Sequence, residues 1–368
     1  MKKSFDFNNF MTVEPYSDEN IKWFNVTDEV FALYGTTELT DNVAHRFSEN
    51  EITDVEKVSK DVAFLAKCPA GVHLKFKTNS KRLMIDALLP EPPNMGHMTA
   101  LAQCGFDLYV FDDTENRYVL HSNTVFNVKN NYYQMQLLFF QDDKERDYIL
   151  YFPLYMNLSS VRIGFDDNAT VSPSYYKNDK RILLYGTSIA QGGCVSRPGM
   201  LYTSILSRTL DREILNYGFS GAALGEKEVA LILAKRKNIE LLIIDIQANA
   251  GCSEKLENNL EEFIVQYNTI NPNVKILVIT QIPFAMDLYD EKRTELKLYY
   301  KYFMKRVVDK FRKKGIKIYF LDGDNFFTST QLLHFTEYTV DGVHPTDLGS
   351  SLIAEGYYKK IVKVLDNE

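Results

Sequence analysis

The sequence predicts a two-domain protein in which an antiparallel β-sandwich precedes a doubly wound, parallel α/β sheet. The chain has 368 residues, which is more than one hydrophobic core usually organises. Over roughly 20–170, apolar and polar side chains alternate with a period of two, as in strands with one buried face. From residue 181 onward, short apolar runs alternate with amphipathic helical patterns. We place the boundary in the segment 168–180, which predicts domains of 1–175 and 176–368.

The composition narrows the class of protein. The hydrophobic fraction of 45% and the charged fraction of 25% are ordinary for a globular domain, and the net charge of −7 argues against binding to a nucleic-acid backbone. No stretch approaches the length of an apolar membrane helix, and the amino terminus lacks the apolar core of a signal peptide. We therefore expect a cytoplasmic protein with neither a nucleic-acid nor a membrane partner. Reduced thiols are expected at the four cysteines, which contain no CxxC pair: Cys68, Cys104, Cys194 and Cys252.

The first half reads as many short strands separated by turns. In "GVHLKFKTNS" the side chains of Val72, Leu74 and Phe76 share one face, and "GFDLYVF" repeats the alternation. Many short strands with almost no helical periodicity predict a sandwich of the jelly-roll type. The histidines of this half lie scattered through strand patterns, so we expect it to be an appendage without catalytic groups of its own.

The second half reads as five βα units, because continuous apolar runs suit parallel strands that are buried on both faces. A helix near 290–314 carries apolar residues at three-to-four spacing and ends at Gly315, and a last helix follows near 347–364. Open parallel sheets bind ligands beyond the carboxyl ends of their strands. The five predicted strands are 181–186, 213–218, 240–246, 274–280 and 316–323.

Ser188 lies just beyond the first of these strands, in "GTSIAQGG". The segment fits neither G-x-G-x-x-G nor a P-loop, which argues against a phosphate site. It also departs from the G-x-S-x-G elbow, because residue 190 is alanine. A bare G-x-S is a weak motif, so the partners of Ser188 must decide between a nucleophile and an ordinary loop serine.

His344 is the candidate base for such a serine. A serine nucleophile needs an imidazole to take its proton and usually a carboxylate to orient that imidazole. His344 follows Asp341 by three residues in the turn-rich "VDGVHPTDLG". In a loop, this spacing lets the carboxylate reach the ring Nδ1 and leaves Nε2 free to face a serine. In isolation, the same pair could equally shape a Gly/Pro turn.

Two further strand ends offer hydrogen-bond donors. Gly221, in "NYGFSGAALG", has an N–H group that no side chain crowds, and Asn249, in "IDIQANAG", has a side-chain amide that suits an oxyanion. Each alone would be read as a turn glycine or a capping asparagine. Together with Ser188, Asp341 and His344, they supply a nucleophile, two donors, a carboxylate and a base at the rim of one sheet.

This ordered set of blocks, "GTS", "GFSG", "QAN" and "DGVH", resembles the SGNH (GDSL-type) hydrolases over about residues 181–365. The resemblance implies a flavodoxin-like three-layer fold, with Ser188 as the nucleophile, His344 as the base and Asp341 as its orienter. The first half, with "CGFDLYV", resembles the N-terminal β-domain of one subgroup of acylhydrolases and acyltransferases. The oxyanion donors implied by the resemblance are the N–H groups of Ser188 and Gly221 and the side chain of Asn249.

The sequence departs from the family pattern in two of these blocks. The first reads G-T-S where G-D-S is usual, and Gln247 stands where the third block usually has glycine. Gln247 is a candidate substrate-binding residue. So is Arg197, which follows the nucleophile loop and could instead form a structural salt bridge. Cys194 lies nearby, but the oxyanion donors are placed to serve Ser188 as the nucleophile and not Cys194. "DGDN" at 322–325 lacks the further oxygen ligands of a calcium loop, so we expect neither a metal nor a cofactor.

The resemblance implies a serine esterase that removes a small acyl group, such as acetyl, from a carbohydrate-like or other small alcohol. The expected partner is thus a small-molecule or carbohydrate acyl ester. Two alternatives stay open. One is an acyltransferase with the same triad, in which a bound alcohol replaces water. The other is a carbohydrate-binding protein whose α/β half is inactive.

Overall fold

The computed structural model describes residues 19–36, 38–40, 43–253 and 255–366. Its first half is built mainly of short antiparallel strands, as the alternating pattern predicts. The strands are β1 (Ile21–Asn25), β2 (Ala32–Tyr34), β3 (Glu38–Thr40), β4 (Val43–His45), β5 (His73–Thr78), β6 (Arg82–Leu88), β7 (Asp107–Asp112), β8 (Arg117–Asn123), β9 (Tyr132–Phe139), β10 (Arg146–Tyr151), β11 (Ser160–Asp166) and β12 (Val171–Pro173). The short helices of this half are α1 (Glu49–Glu56), α2 (Lys60–Leu65) and α3 (Ala100–Cys104).

Two antiparallel sheets of this half face each other around an apolar core. Their strand orders are β1-β11-β6-β9 and β12-β5-β10-β7-β8, with β2 beside β5, while β3 and β4 form a separate pair. Leu74, Phe76 and Leu108 are fully buried in the core between the sheets, as the period of two predicts. The predicted antiparallel sandwich is confirmed.

The second half alternates strands and helices. Its strands are β13 (Asn178–Gly186), β14 (Arg212–Gly218), β15 (Ile239–Asp245), β16 (Lys275–Ile279) and β17 (Ile318–Leu321). Its α-helices are α4 (Ser188–Gln191), α5 (Tyr202–Leu210), α6 (Lys227–Leu233), α7 (Gln247–Ala250), α8 (Leu256–Ile270), α9 (Glu291–Lys313) and α10 (Asp347–Asp366). Short 3-10 helices lie at Pro198–Met200, Ala285–Leu288, Gly323–Asn325 and Phe335–Tyr338.

The five strands of the second half run parallel in the order β14-β13-β15-β16-β17. This is the 2-1-3-4-5 order of flavodoxin-like folds, in which ligands bind at the switch between the first and third strands. Helices α6, α8 and α9 cover one face of the sheet, and α5 and α10 cover the other. The predicted three-layer fold is confirmed, and Ser188 lies at the switch point. Among the described residues, no helix combines the length and the apolar character that a membrane span requires.

The segment with α1 and α2 precedes the predicted boundary but packs on the second half. Ile52 and Val55 are buried in the core formed by α6 and α8. Glu51 accepts two hydrogen bonds from the Arg236 guanidinium, at 2.7 and 2.8 Å. The sequence pattern did not indicate these helices. The boundary near residue 175 stays a prediction, and this segment interlocks the two halves.

Helix α5 joins the sandwich to the α/β half. The Arg208 guanidinium of α5 lies 4.1 Å from the centroid of the Tyr109 ring on β7. His73 Nε2 on β5 lies 2.6 Å from the Tyr176 hydroxyl, which in turn lies 2.7 Å from the Ser207 hydroxyl of α5. A hydrogen-bonded chain therefore runs from the sandwich, through the linking segment, to the second half.

Candidate active site

The Ser188 loop is shaped by glycines at its two ends. β13 ends at Gly186, where a Cβ would lie 2.7 Å from the Ala190 Cβ, so the chain can turn into α4 only without a side chain there. Ser188 is the first residue of α4, and its carbonyl accepts the Gly193 N–H at 2.8 Å. A Cβ on Gly193 would lie 2.7 Å from His344 Cδ2. The second glycine thus leaves room for the histidine ring beside the loop.

Ser188, His344 and Asp341 form one hydrogen-bonded row, which we call the serine row. His344 Nε2 lies 2.9 Å from Ser188 Oγ, and His344 Nδ1 lies 2.7 Å from Asp341 Oδ2. The other carboxylate oxygen, Oδ1, accepts the N–H groups of Val343 and His344 at 3.0 and 2.8 Å. Gly342, with a φ of +85°, lets the loop close this turn. The three-residue spacing therefore brings the carboxylate onto the ring.

The surroundings of the Asp341 carboxylate favour its ionised form. Partial burial opposes the charge, but hydrogen bonds from the His344 ring and from backbone N–H groups outweigh it. They hold the pKa of Asp341 below its ordinary value. A carboxylate that accepts Nδ1–H leaves Nε2 unprotonated and facing Ser188. In this tautomer, the row can move a proton from the serine to the imidazole.

The ends of β14 and β15 lie beside the Ser188 loop and carry the predicted oxyanion donors. The Phe219 N–H donates to the Gly186 carbonyl at 2.8 Å, and the Asn249 amide donates to the Phe219 carbonyl at 3.2 Å. Gly221 has a φ of +69°, and the space where its side chain would stand is open. Within the described ranges, the N–H groups of Ser188 and Gly221 form no internal hydrogen bond, so both are available to a ligand.

Gln191 connects these loops, and the sequence reasoning missed it. The residue is fully buried on α4. Its Oε1 accepts the Ser220 N–H at 2.9 Å, and its Nε2 donates to the Leu154 carbonyl at 3.3 Å. It therefore orients the segment that carries Gly221. The only sequence signal is a polar residue three positions after Ser188.

The β-sandwich also reaches the site. The Tyr155 hydroxyl donates to the Ser188 carbonyl at 3.2 Å. His97 is exposed on the loop before α3, and its ring centroid lies 6.3 Å from that of His344. The sequence reasoning missed both residues, because neither belongs to a motif. The first half thus contributes part of the wall around the serine row, and the expectation that it supplies no catalytic group stays a prediction.

Cys194 lies against the serine row but suits neither a nucleophile nor a metal ligand. Ligand atoms of Cys194, Asp341 and His344 lie within 4.8 Å of one another. Burial raises the pKa of the Cys194 thiol to about 11, so the thiol is protonated near neutral pH. Both ring nitrogens of His344 are already hydrogen-bonded, to Asp341 and Ser188. This donor set does not fit a resident metal ion.

The two candidate substrate-binding residues are engaged within the protein. Gln247 Oε1 accepts the Gln281 N–H at 3.0 Å, and its Nε2 donates to the Lys297 carbonyl at 3.3 Å. Arg197 pairs with Asp107 of β7 at 2.9 Å. For Arg197 the structure thus favours the alternative of a structural salt bridge, here between the two halves. Gln247 links the residues after β15 to Gln281 and to α9, and its role in substrate binding stays a prediction.

Two family models match the chain. The model of the GDSL-like lipase/acylhydrolase family matches residues 179–363, and a model of the N-terminal domain of SGNH-hydrolase-type esterases matches residues 21–171. No curated protein matches the chain.

Several solved structures share this two-part architecture. A GDSL-like lipase from Bacteroides ovatus is 27% identical, with a TM-score of 0.84 over 94% of this chain and 98% of that one. A salicylyl-acyltransferase from a tetracycline biosynthetic pathway is 14% identical, with a TM-score of 0.74 over the same shares. A family two carbohydrate esterase from Cellvibrio japonicus is 12% identical, with a TM-score of 0.59 over 94% of this chain and 98% of that one.

Proposed function

The chain belongs to the GDSL-like lipase/acylhydrolase family and is an ester hydrolase, and from this premise we propose that it is a serine esterase for small acyl groups. The proposed substrate is an ester, such as an acetyl ester, of a carbohydrate or another small alcohol. The observation that carries the proposal is the serine row, with hydrogen bonds of 2.9 and 2.7 Å at the ligand-binding edge of the sheet.

Ser188 acts as the nucleophile in the first half of the proposed reaction. Its Oγ forms a bond to the ester carbonyl carbon while His344 Nε2 takes the hydroxyl proton. The Asp341 carboxylate holds the ring in place and balances the imidazolium charge that forms. The carbonyl π electrons move to the oxygen, which becomes an oxyanion.

Three donors would stabilise this oxyanion. The N–H groups of Ser188 and Gly221 are unbonded within the described part of the chain, and the Asn249 amide lies on α7, which follows the neighbouring strand β15. Preorganised donors act on charge that develops in the transition state, so they lower the barrier more than they strengthen substrate binding.

The reaction is then completed in two steps, which are release of the alcohol and hydrolysis of the acyl-serine. The bond to the alcohol oxygen breaks, His344 returns its proton to that oxygen, and the acyl group stays on Ser188. Water next attacks the acyl carbon, with His344 again as the base. Collapse of the second intermediate breaks the bond to Ser188 Oγ, which regains its proton and releases the carboxylic acid.

The groups around the site favour a polar alcohol. Tyr155, Cys194 and His97 all lie close to the serine row. The imidazole, hydroxyl and amide groups at the rim suit an alcohol with further hydroxyl groups better than a lipid. The shared fold of a carbohydrate esterase is consistent with this substrate class.

An acyltransferase is the second candidate, and the salicylyl-acyltransferase that shares both halves of the fold is the observation that favours it. The same row would form the same acyl-serine, and a bound alcohol would then replace water. Adding an alcohol to the assay separates the two reactions. A transferase should form the new ester in preference to the free acid.

A panel of aryl acetate, butyrate and octanoate esters, together with acetylated xylan, tests the proposal. We expect the acetate to be the preferred acyl group and a serine-reactive phosphonate to label Ser188 in the wild-type chain but not in His344→Ala. Preference for the octanoate would contradict the small acyl group. Phosphonate labelling at another residue would contradict the assignment of Ser188.

A further inference from the structure

The outer face of the sheet β12-β5-β10-β7-β8 is covered over only part of its area. The pairing of β10 with β5 places Tyr151 beside His73, and Asp147 beside Lys77, on that face. At the Tyr151 end, α5 packs on the sheet, and the Tyr151 hydroxyl donates to the Ser204 carbonyl at 3.3 Å. At the Asp147 end, the face is open and forms the floor of a groove of about 1090 Å³. We call this space the sheet groove.

The sheet groove lies far from the serine row. Its wall includes Thr209 and Asp211 at the end of α5, directly before β14 begins at Arg212. Ser188 follows the opposite, carboxyl end of the neighbouring parallel strand β13. The seven residues of β14 span about 20 Å, so one sugar ring cannot occupy both places. The groove is therefore a separate site.

Aromatic side chains line the sheet groove on its floor and at its rim. On the floor, Phe111 and Tyr118 pack edge to face, with ring centroids 5.2 Å apart. At the rim, Tyr175 is 68% exposed. The Phe140 ring lies beneath the Arg146 guanidinium at 3.9 Å. An exposed aromatic ring beside polar groups offers a flat apolar surface to the C–H face of a sugar.

Lys75 anchors the polar part of the floor. It is 1% exposed, and its Nζ donates to the Tyr118 hydroxyl at 2.7 Å. The same ammonium lies 4.4 and 4.6 Å from the ring centroids of Tyr118 and Tyr176. A buried cation held by a hydroxyl and two aromatic faces is a preorganised arrangement. It fixes the Tyr118 hydroxyl as a hydrogen-bonding group on the floor.

The charges around the sheet groove nearly cancel. Six cationic and five anionic side chains line it, and some are paired, such as Lys144 with Asp113 at 3.1 Å. A ligand rich in phosphate would need a clear positive excess, and an apolar ligand would not suit so many charged groups. A neutral ligand with many hydroxyl groups suits both the mixed donors and acceptors and the exposed ring.

We propose that the sheet groove is a second, non-catalytic binding site for a neutral oligosaccharide. Tyr175 stacks on one sugar ring, and Tyr118 and the charged groups beside it hydrogen-bond to hydroxyl groups. The groove would hold part of a carbohydrate chain at a distance from the ester that is cleaved. Binding here does not depend on the proposed reaction, so it can be measured in a chain without the nucleophile.

Isothermal titration calorimetry of the full chain with Ser188→Ala tests the proposal, with xylohexaose, cellohexaose and mannohexaose as probes. We expect at least one of them to bind, and Tyr175→Ala to weaken its affinity roughly tenfold by removing the stacking ring. Leu120→Arg, at a groove position that is 41% exposed, should abolish binding by filling the floor. Tyr302→Ala is the matched control, because Tyr302 is 61% exposed on α9 and should not affect the affinity.

A covalent phosphonate on Ser188 of the wild-type chain should leave the oligosaccharide affinity unchanged. The proposal is overturned if none of the three probes binds at millimolar concentration, if the phosphonate abolishes binding, or if both groove variants retain full affinity. In a chain that keeps Ser188, Tyr175→Ala should hydrolyse an aryl acetate at the wild-type rate. That measurement reports on the esterase proposal separately from the groove.

Discussion

His344 at the serine row and His73 at the junction of the two halves each have both ring nitrogens in hydrogen bonds. For His344 the partners are the Asp341 carboxylate and the Ser188 hydroxyl, and its side chain is 22% exposed. For His73 they are the Gly71 carbonyl at 2.9 Å and the Tyr176 hydroxyl at 2.6 Å, and the residue is 1% exposed. The two rings thus have the same number of hydrogen-bond partners. They differ in how deeply they are buried and in whether a partner is charged.

A hydrogen-bonded histidine is suited to proton transfer when the charge it gains is balanced by a neighbouring group. The ring of His344 has an anionic partner, so a proton gained at Nε2 is balanced by a nearby charge. The ring of His73 has only neutral partners, and burial lowers its pKa to about 3. His73 is therefore neutral under ordinary conditions and links the two halves of the protein. Its closeness to a serine, through Tyr176, gives it no catalytic role.

The largest expected effect is that of Ser188→Ala on ester hydrolysis. It removes the attacking oxygen and one hydrogen bond to His344, so the fold should persist while kcat falls by roughly 10⁴–10⁶-fold. Adding His344→Ala should cost little more, because the members of the row act as a unit. Steady-state kinetics on an aryl acetate measure both. If Ser188→Ala kept near-wild-type turnover, the serine row would not be the catalytic site, and His344 would not differ from His73 in function.

Ser207→Ala is the matched control for this prediction. Ser207 belongs to the His73 network, where its hydroxyl lies 2.7 Å from that of Tyr176. Its loss should lower stability without changing kcat in the folded protein. A comparable loss of turnover in Ser207→Ala would mean that the hydrogen-bonded chain of His73, Tyr176 and Ser207 also takes part in the reaction.

Asn249→Ala should have the next largest effect. The amide would bind the oxyanion better than the ground-state carbonyl, so kcat should fall about 10²–10³-fold, or roughly 3–4 kcal/mol, with little change in KM. Gln247→Ala is the control, because both ends of its amide are bound to backbone groups. If Gln247→Ala lowers kcat and Asn249→Ala only raises KM, the oxyanion donor is Gln247.

His73 should make the fold sensitive to acid. Its pKa is lowered from 6.5 to about 3 by burial, so the unfolded chain binds a proton that the folded protein excludes. The stability that neutral His73 contributes is present above the pKa of this residue in the unfolded chain. It is lost as the pH falls toward the pKa of His73 in the folded protein. Between about pH 7 and pH 4, the wild type should lose about 3 kcal/mol more than His73→Gln. Urea unfolding at both pH values measures this, and parallel losses in the two proteins would refute it.

Tyr155→Phe should have the smallest effect. It removes one hydrogen bond to the Ser188 carbonyl, worth about 1 kcal/mol, so kcat should fall by roughly fivefold. Tyr133→Phe is the control, since its hydroxyl donates to the Cys104 carbonyl within the sandwich, at 2.6 Å. Equal effects of the two variants on kcat would show that Tyr155 acts only through stability.

Local sequence patterns were enough to predict the architecture and the principal groups of the candidate site. Periods of two and continuous apolar runs depend on local geometry, so they report strands and layers without knowledge of the packing. The three-residue spacing of Asp341 and His344 is likewise a local property of one turn. Because parallel strands end at one edge, Ser188, Gly221 and Asn249 were expected to lie together there, and the structure brings their loops together.

The other residues around the candidate site could be identified only from the packing of the two halves. Tyr155 and Ser188 are 33 positions apart, and Arg197 and Asp107 are 90 positions apart, so no local pattern relates the members of either pair. The burial of His73 likewise depends on α5 and Tyr176 covering β5. Such contacts arise when the two halves pack together, because residues that are distant in sequence are then brought into contact. That packing closes one wall of the candidate active site and leaves the sheet groove open.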